Sequence, residues 1–305
     1  MKLDLSDVTI CAIDSVNMAL AARALHVSMA QCRFADAILF SHAPVDGEFR
    51  NEIIPKVNST AEYSSFLWKR VPTFVDTPFA LIVQWDGFVT DAGAWRPEFR
   101  DYDYIGARWP FLTDGMSVGN GGFSLRSRKF MSALMQPRFV LDESANCDWQ
   151  CCRTYRPALE SDYGVRFAPE DVADLFSHEL APPSQNTFGF HSLENMWRYV
   201  EDAEMVELVD RLDPYVCRTY AYAKLILAYF AHRRWEPLAA LYAKMKKHVD
   251  DDKIEHTIKV VALDEADAIK CMRKCERLLF ASARSESLRR AYGKAKSIFA
   301  RPRSA

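Results

Sequence analysis

No stretch of this sequence is long and apolar enough to cross a bilayer, so no transmembrane helix is expected. Charge of one sign is equally scarce. With 39 Lys and Arg against 41 Asp and Glu, the formal net charge is -2 and gives no global attraction to nucleic acid. The opening residues, MKLDLSDVTICAIDS, place acids before their apolar run and lack the basic segment that starts a secretory signal. They are expected to form the first strand of a cytoplasmic protein. Neither paired CxxC-like knuckles nor Cys/His knuckles occur among the eight cysteines, which argues against structural zinc. Cys147, Cys151 and Cys152 cluster, and Cys271 and Cys275 lie one helical turn apart. Reduced, partly buried thiols acting as small apolar side chains account for both groups.

What is present is an ordinary globular composition, 49% hydrophobic and 26% charged, in 305 residues. That length suits one large domain, or one domain with an appendage. Short apolar runs at Val8 to Ile13, Ala37 to Phe40 and Phe79 to Val83 read as strands. Between them, Asn17 to Ala30 and Ser64 to Arg70 read as helices. This order predicts a parallel sheet between helices, with ligands bound at the carboxyl ends of the strands. A helix is expected near Asp148 to Leu159, within a looser stretch running from Tyr102 to Phe190. Arg218 to Ala231 and Pro237 to His248 read as an antiparallel helical hairpin, with Ile258 to Phe280 continuing helical. One pair is too few for a repeat array. The chain therefore divides into residues 1–200, an α/β domain, and 201–305, a helical extension.

The segment from Ala281 to Ala305 holds Arg284, Arg289, Arg290, Lys294, Lys296, Arg301 and Arg303 against Glu286 alone. A solvated, frayed terminus is the simpler account. The other is weak peripheral contact with the inner face of an anionic membrane, with Leu288, Tyr292 and Phe299 as apolar contacts.

The chemistry concentrates between Leu81 and Arg128. The third strand ends at Asp86 and Gly87, a carboxylate beside a residue with no Cβ to obstruct a phosphate. A hard divalent cation held by such a carboxylate neutralises the charge that builds on a departing diphosphate. A lone Asp-Gly is more often just a turn at the end of a strand. His191, after Phe188-Gly189-Phe190, is placed to fold back over the site and offer a neutral imidazole to Mn2+ or Mg2+. The loop Val118-Gly119-Asn120-Gly121-Gly122-Phe123 can expose backbone N–H groups to an anion or lie under a sugar ring. It matches neither the dinucleotide fingerprint nor the P-loop, so neither NAD nor ATP is implied. Trp95, Trp109 and Tyr104 could stack on a sugar or serve only as core. Among the acids that follow, Asp142, Glu143, Asp148, Glu160, Asp162, Glu170 and Asp171, Asp148 stands out because it starts a helix. Capping that helix would explain it equally well.

Three ordered segments resemble a known pattern: Gln84-Trp85-Asp86-Gly87-Phe88-Val89, then Tyr102-Asp103-Tyr104-Ile105-Gly106-Ala107 with Trp109-Pro110, then Val118 to Arg126 (VGNGGFSLR). Phe167-Ala168-Pro169-Glu170, Phe176-Ser177-His178-Glu179 and Phe188-Gly189-Phe190-His191 complete the series. Together, over roughly residues 7 to 195, they resemble a bacterial family catalogued as a domain of unknown function and considered glycosyltransferase-like, with the GT-A fold. The resemblance implies a mixed, Rossmann-type sheet, a nucleotide-diphospho-sugar donor (a UDP-sugar first), a saccharide or glycan acceptor, and a role in polysaccharide biosynthesis. It implies Mn2+ or Mg2+ held by Asp86 and His191, and donor or acceptor contacts from Gln84, Asp86, Gly87, Trp109, Gly119, Asn120, Gly121 and Gly122. Asp86 stands where GT-A enzymes carry the second acid of Asp-x-Asp. Gln84 replaces the first, which leaves His191 and the diphosphate to complete the metal shell. Where the family tends to have Glu-Asp, this chain has Cys147-Asp148, and Asp148 is kept as the base of an inverting displacement. Two rivals stand beside this reading: a non-catalytic sugar- or nucleotide-binding protein of the same fold, and an assembly module that docks a partner through the helical hairpin.

Overall fold

The computed structural model describes residues 1–281. The basic stretch read above as a solvated tail or membrane contact lies outside them, apart from Ala281. Contacts divide the chain into two compact units, Met1–Tyr199 and a second that begins at Val200. Among the described residues, no helix is long and apolar enough to cross a membrane.

The first unit is built on a six-stranded sheet between helices. Its elements run β1 (Leu3–Ile13), α1 (Met18–Gln31), β2 (Cys32–Ser41), β3 (Arg50–Ile53), α2 (Thr60–Lys69), β4 (Phe79–Val83), β5 (Tyr104–Gly106), β6 (Phe123–Ser127) and α3 (Arg128–Leu134). They continue with α4 (Cys147–Trp149), α5 (Arg156–Tyr163), α6 (Glu170–Phe176), and the short pair β7 (Ser177–His178) and β8 (Gly189–Phe190). In space the sheet order is β3-β2-β1-β4-β6-β5. β1 to β4 pair in parallel, while β6 runs antiparallel to both β4 and β5. The sheet is therefore mixed and mostly parallel.

Alternation along the strands fills both faces. Cys11, Ile13, Ala80 and Ile82 point to one side, where Leu67 and Trp68 of α2, Phe130 of α3 and Leu159 of α5 pack. Ile10, Ala12, Leu81 and Val83 point to the other, against Ala21 and Leu25 of α1 and Phe99, Phe176 and Phe188. A central sheet covered on both faces explains why its strands read as continuous apolar runs.

The helix expected from Asp148 to Leu159 is broken. α4 passes into a π-helical turn, Gln150–Thr154, closed by the Tyr155 N–H donating to the Gln150 carbonyl at 2.8 Å. α5 then starts afresh with Pro157 in its first turn, where a missing N–H costs nothing.

The second unit holds α7 (Asp202–Arg211), α8 (Tyr220–Ala231), α9 (Trp235–His248), α10 (Asp251–Val261) and a helix covering 265–281. Its core gathers Leu208, Tyr222, Leu225, Ile226, Tyr229, Leu241, Met245, Ile254 and Ile258. Cys271 and Cys275 are buried in it as free thiols, and all eight cysteines of the chain are free and buried. α8 ends in a Schellman motif, with Arg234 N–H on the Tyr229 carbonyl at 3.0 Å and Arg233 N–H on that of Phe230 at 3.1 Å. Its left-handed position, usually glycine, is Arg233 at φ 55°, whereas the matching position after α5 is Gly164 at φ 61°. Arg233 is exposed, so Arg233→Gly removes the Cβ strain at little cost in contacts. It is expected to stabilise the second unit by about 0.5–1 kcal/mol, read as a higher urea midpoint. An unchanged or lower midpoint would show that the left-handed turn is not strained.

Candidate functional site

Three chain ends meet at one edge of the sheet. Ala12 of β1 pairs with Val83 of β4, and Val83 pairs with Phe123 of β6. Because β6 is antiparallel, its start lies beside the end of β4. The register therefore brings Asp14, Gln84 to Gly87 and the Gly119–Gly122 loop to the same place. Gln84 to Gly87 form a tight turn in which the Gly87 N–H donates to the Gln84 carbonyl at 3.0 Å. The pair β7–β8 adds a fourth contribution. It aligns His178 with Phe190, so the next residue on each strand, Glu179 and His191, become neighbours.

His191 sits at the centre. Glu179 Oε1 lies 3.0 Å from Nδ1, while Gln84 Oε1 lies 3.1 Å and Asp86 Oδ1 3.5 Å from Nε2. The side chains of Asp86, Glu179 and His191 are 13%, 14% and 15% exposed. Burial opposes a charge on the ring, but the carboxylates of Asp86 and Glu179 outweigh it and push the His191 pKa up to about 10. With both nitrogens protonated, each N–H has an acceptor. The Asn120 amide nitrogen, 3.1 Å from Nδ1, is then a neighbour of that N–H and not its hydrogen-bond partner. Asp86 is further fixed by the Leu193 N–H, which donates to Oδ2 at 3.0 Å. Gln84 donates through Nε2 to the Tyr63 hydroxyl at 2.9 Å, which sets its amide orientation. Gly122 makes room for the ring, since a Cβ there would fall 2.1 Å from His191 Nε2.

The glycine loop is held from within. The buried Tyr104 hydroxyl donates to the carbonyls of Gly119 and Asn120 at 3.1 and 2.9 Å. Asn120, itself buried, accepts from the N–H of Gly122 at 3.2 Å and of Phe123 at 3.4 Å. Arg126, only 2% exposed, donates to Ser124 Oγ at 3.0 Å and to the Gly121 carbonyl at 3.4 Å. With its carbonyls tied inward, the loop turns the Gly121 N–H to Asp148 Oδ2 at 3.3 Å. Asp148 Oδ1 accepts from the Trp149 N–H at 2.9 Å. Burial raises the Asp148 pKa above its ordinary value, the Trp149 N–H offsets part of this, and the nearby charge of Glu179 adds to it. Asp14, whose Oδ1 accepts from the N–H groups of Val16 and Asn17 at 2.6 Å each, is also raised by burial, with Asp86 contributing.

The structure thus brings Gln84, Asp86, Gly87, Asn120, Gly121, Gly122, Asp148 and His191 together. Of the downstream acids named in the sequence, Asp148 meets the glycine loop. Glu160 pairs with Arg156, Asp162 with Arg138, and Glu170 accepts from Ser117 Oγ, while Asp142 and Glu143 are exposed. Trp109 is 7% exposed and Tyr104 fully buried, and both serve to hold the loop. Glu179, Asp14 and Arg126 had no assigned role in the sequence.

Asp86 and His191 do come together, but they face each other. A divalent ion needs a lone pair on the imidazole, and both ring nitrogens here point at acceptors. Among the described residues, no group of three or more His, Cys, Asp or Glu side chains is arranged to hold a metal ion. With His191 charged, Asp86 and His191 together do not fit a bound Mn2+ or Mg2+, although Asp86 Oδ1 is buried without a hydrogen-bond partner.

Residues 48–191 match a family described as a protein of unknown function (DUF5672). No curated protein matches the chain. Among solved structures, the chain is similar to the mannosyltransferase PcManGT from Pyrobaculum calidifontis in complex with GDP-Man and Mn2+. The identity is 10% and the TM-score 0.38, covering 96% of this chain and 84% of that one. It is also similar to the galactosyltransferase LgtC in complex with donor and acceptor sugar analogs, at 12% identity and TM-score 0.33, covering 62% of this chain and 86% of that one.

Proposed function

We propose that the unit Met1–Tyr199 is a GT-A-type glycosyltransferase that moves a sugar from a nucleotide-diphospho-sugar, a UDP-sugar first, to a saccharide or glycan acceptor with inversion. The observation that carries this reading is the convergence of the Asp86 turn, the glycine loop and Asp148 at the carboxyl-terminal edge of a mostly parallel sheet. Ligands bind in that position in open α/β sheets. The family resemblance of the ordered motifs supports it.

In this reading the acceptor hydroxyl oxygen attacks the anomeric carbon opposite the diphosphate. Asp148 takes the hydroxyl proton, and the bond from the anomeric carbon to the diphosphate oxygen breaks, its electron pair leaving with the nucleotide. A carboxylate whose pKa burial has raised is a better proton acceptor than an exposed one. Gly87 and the Gly119–Gly122 loop let backbone approach donor and acceptor. For Mn2+ or Mg2+ to bind at Asp86, His191 would have to give up a ring proton and turn from Gln84.

Isothermal calorimetry tests the donor site. Asp86→Ala is expected to weaken UDP-sugar binding at least tenfold, about 1.4 kcal/mol. Unchanged affinity in that variant would remove the donor assignment, and titrations with and without Mn2+ show whether the ion takes part. The facing Asp86–His191 pair also favours a second reading, a sugar-nucleotide-binding protein without turnover. Donor binding without hydrolysis or transfer in any metal condition would establish that one instead.

A further inference from the structure

The residue after the candidate base is an exposed tryptophan. Trp149 is 39% exposed, although a ring of that size is normally well covered. It is not a loose side chain. Trp109 packs against it with ring centroids 5.5 Å apart and planes at 38°, and the Arg153 guanidinium lies 5.3 Å from its centroid. Arg153 is fixed in turn by two hydrogen bonds of 2.7 Å to Asp114 and one of 3.0 Å to the Met116 carbonyl. Trp109 is seated against Gly119, where a Cβ would fall 2.3 Å from its ring. The glycine loop, Trp109 and Trp149 therefore form one layered support. The π-helical turn that begins at Gln150 sets where Trp149 stands, and such turns recur at functional positions. Among the described residues, the Trp149 indole N–H has no hydrogen-bond partner.

A rigid, open indole with a free N–H suits a ligand that has an apolar face and a hydroxyl rim. A pyranose ring has both. The adjacent Asp148 is tied to the glycine loop at Gly121, so a ring seated on Trp149 lies beside the proton acceptor. We propose that Trp149 is the stacking platform for the acceptor saccharide, holding a pyranose so that one hydroxyl meets Asp148. The inference rests on the glycosyltransferase reading for the identity of its ligand. It differs from the sequence expectation in moving the aromatic contact from Trp109, which is buried, to the residue that Trp109 supports.

The test uses the full chain and four disaccharides, lactose, maltose, cellobiose and chitobiose, with binding read by saturation-transfer NMR and tryptophan fluorescence. At least one is expected to bind, about tenfold more weakly to Trp149→Ala, with part of the affinity kept by Trp149→Phe. Calorimetry with UDP-sugars on the same variants is expected to show unchanged donor affinity. Should the wild-type chain bind a UDP-sugar but none of the disaccharides, or should Trp149→Ala and Trp149→Phe both bind the disaccharide as the wild type does, the platform is wrong and the donor site stands. Disaccharide binding that depends on Trp149 in a chain that binds no nucleotide sugar would keep the platform and overturn the transferase reading. The Phe variant guards against misfolding, because it retains a ring on Trp109.

Discussion

Asp148→Asn is expected to lower kcat by roughly 10²–10⁴-fold, the usual contribution of a positioned general base, with donor affinity unchanged. Asparagine keeps the size of the side chain and one acceptor oxygen, enough for the Trp149 N–H at 2.9 Å; the longer contact from Gly121 is given up, but Tyr104, Asn120 and Arg126 still hold the loop. What it loses is the ability to take a proton. The pH profile gives an independent check. Burial raises the Asp148 pKa, so the acid limb of the kcat/KM profile should lie above the ordinary aspartate value of 3.8 and vanish in the variant's residual activity. Glu179 contributes to the raised value through its charge. Glu179→Gln should therefore move that limb to lower pH while leaving Asp148 in place. Turnover at the wild-type level in Asp148→Asn would sink the base assignment, and no separate structural effect could rescue it.

The route from sequence to this site was only partly open. Phe79–Val83 is read correctly as a strand because a doubly covered strand has an uninterrupted apolar run. Asp86 at its end follows from that reading. The same logic applied to β1 would have found Asp14, which ends the run Val8 to Ile13 in the same way. The meeting of Asp86 with the glycine loop has another origin. It depends on β6 running antiparallel to β4, a pairing choice that a short apolar run after glycines does not disclose. Glu179 was hidden for a related reason. Its contact with His191, 12 residues away, comes from the two-residue parallel pair of His178 with Phe190, too short to leave a periodic signal. Trp109 and Trp149 show the limit for aromatic residues. Both look alike in sequence, and which is floor and which is surface follows from the seat at Gly119 and the π-helical turn at Gln150. Solvent exposure is a property of the packed chain, so composition could name the residue type but not the residue.

Stability should fall as pH rises from about 6.5, with a slope approaching 1.4 kcal/mol per pH unit, the effect of one proton held by the folded state alone. His191 supplies that proton. Its pKa goes from 6.5 in a free imidazole to about 10 in the fold, because Asp86 and Glu179 outweigh the cost of burial. Below 6.5 both folded and unfolded chains carry the charge, and the contribution is fully present. Above it the unfolded chain releases the proton first, and the contribution declines until the folded ring also deprotonates near pH 10. The buried thiols of Cys32 and Cys147, pushed up to about 12, add a loss of their own as pH nears and passes about 8.5. Between pH 6.5 and 7.5 His191 therefore dominates a urea denaturation series, while His178, whose pKa burial lowers to about 4, adds a smaller slope of opposite sign as the unfolded imidazole loses its proton. His191→Ala is expected to remove the fall in that interval and to cost about 3–5 kcal/mol at pH 6.5, since it strands two largely buried carboxylates without their cation. Adding Asp86→Asn to His191→Ala should recover part of that loss, because one of the stranded charges is then gone. A wild-type chain no less stable at pH 7.5 than at pH 6.5 would mean that the ring is neutral in the fold, which frees one nitrogen for a metal ion and reopens the site that its present contacts close.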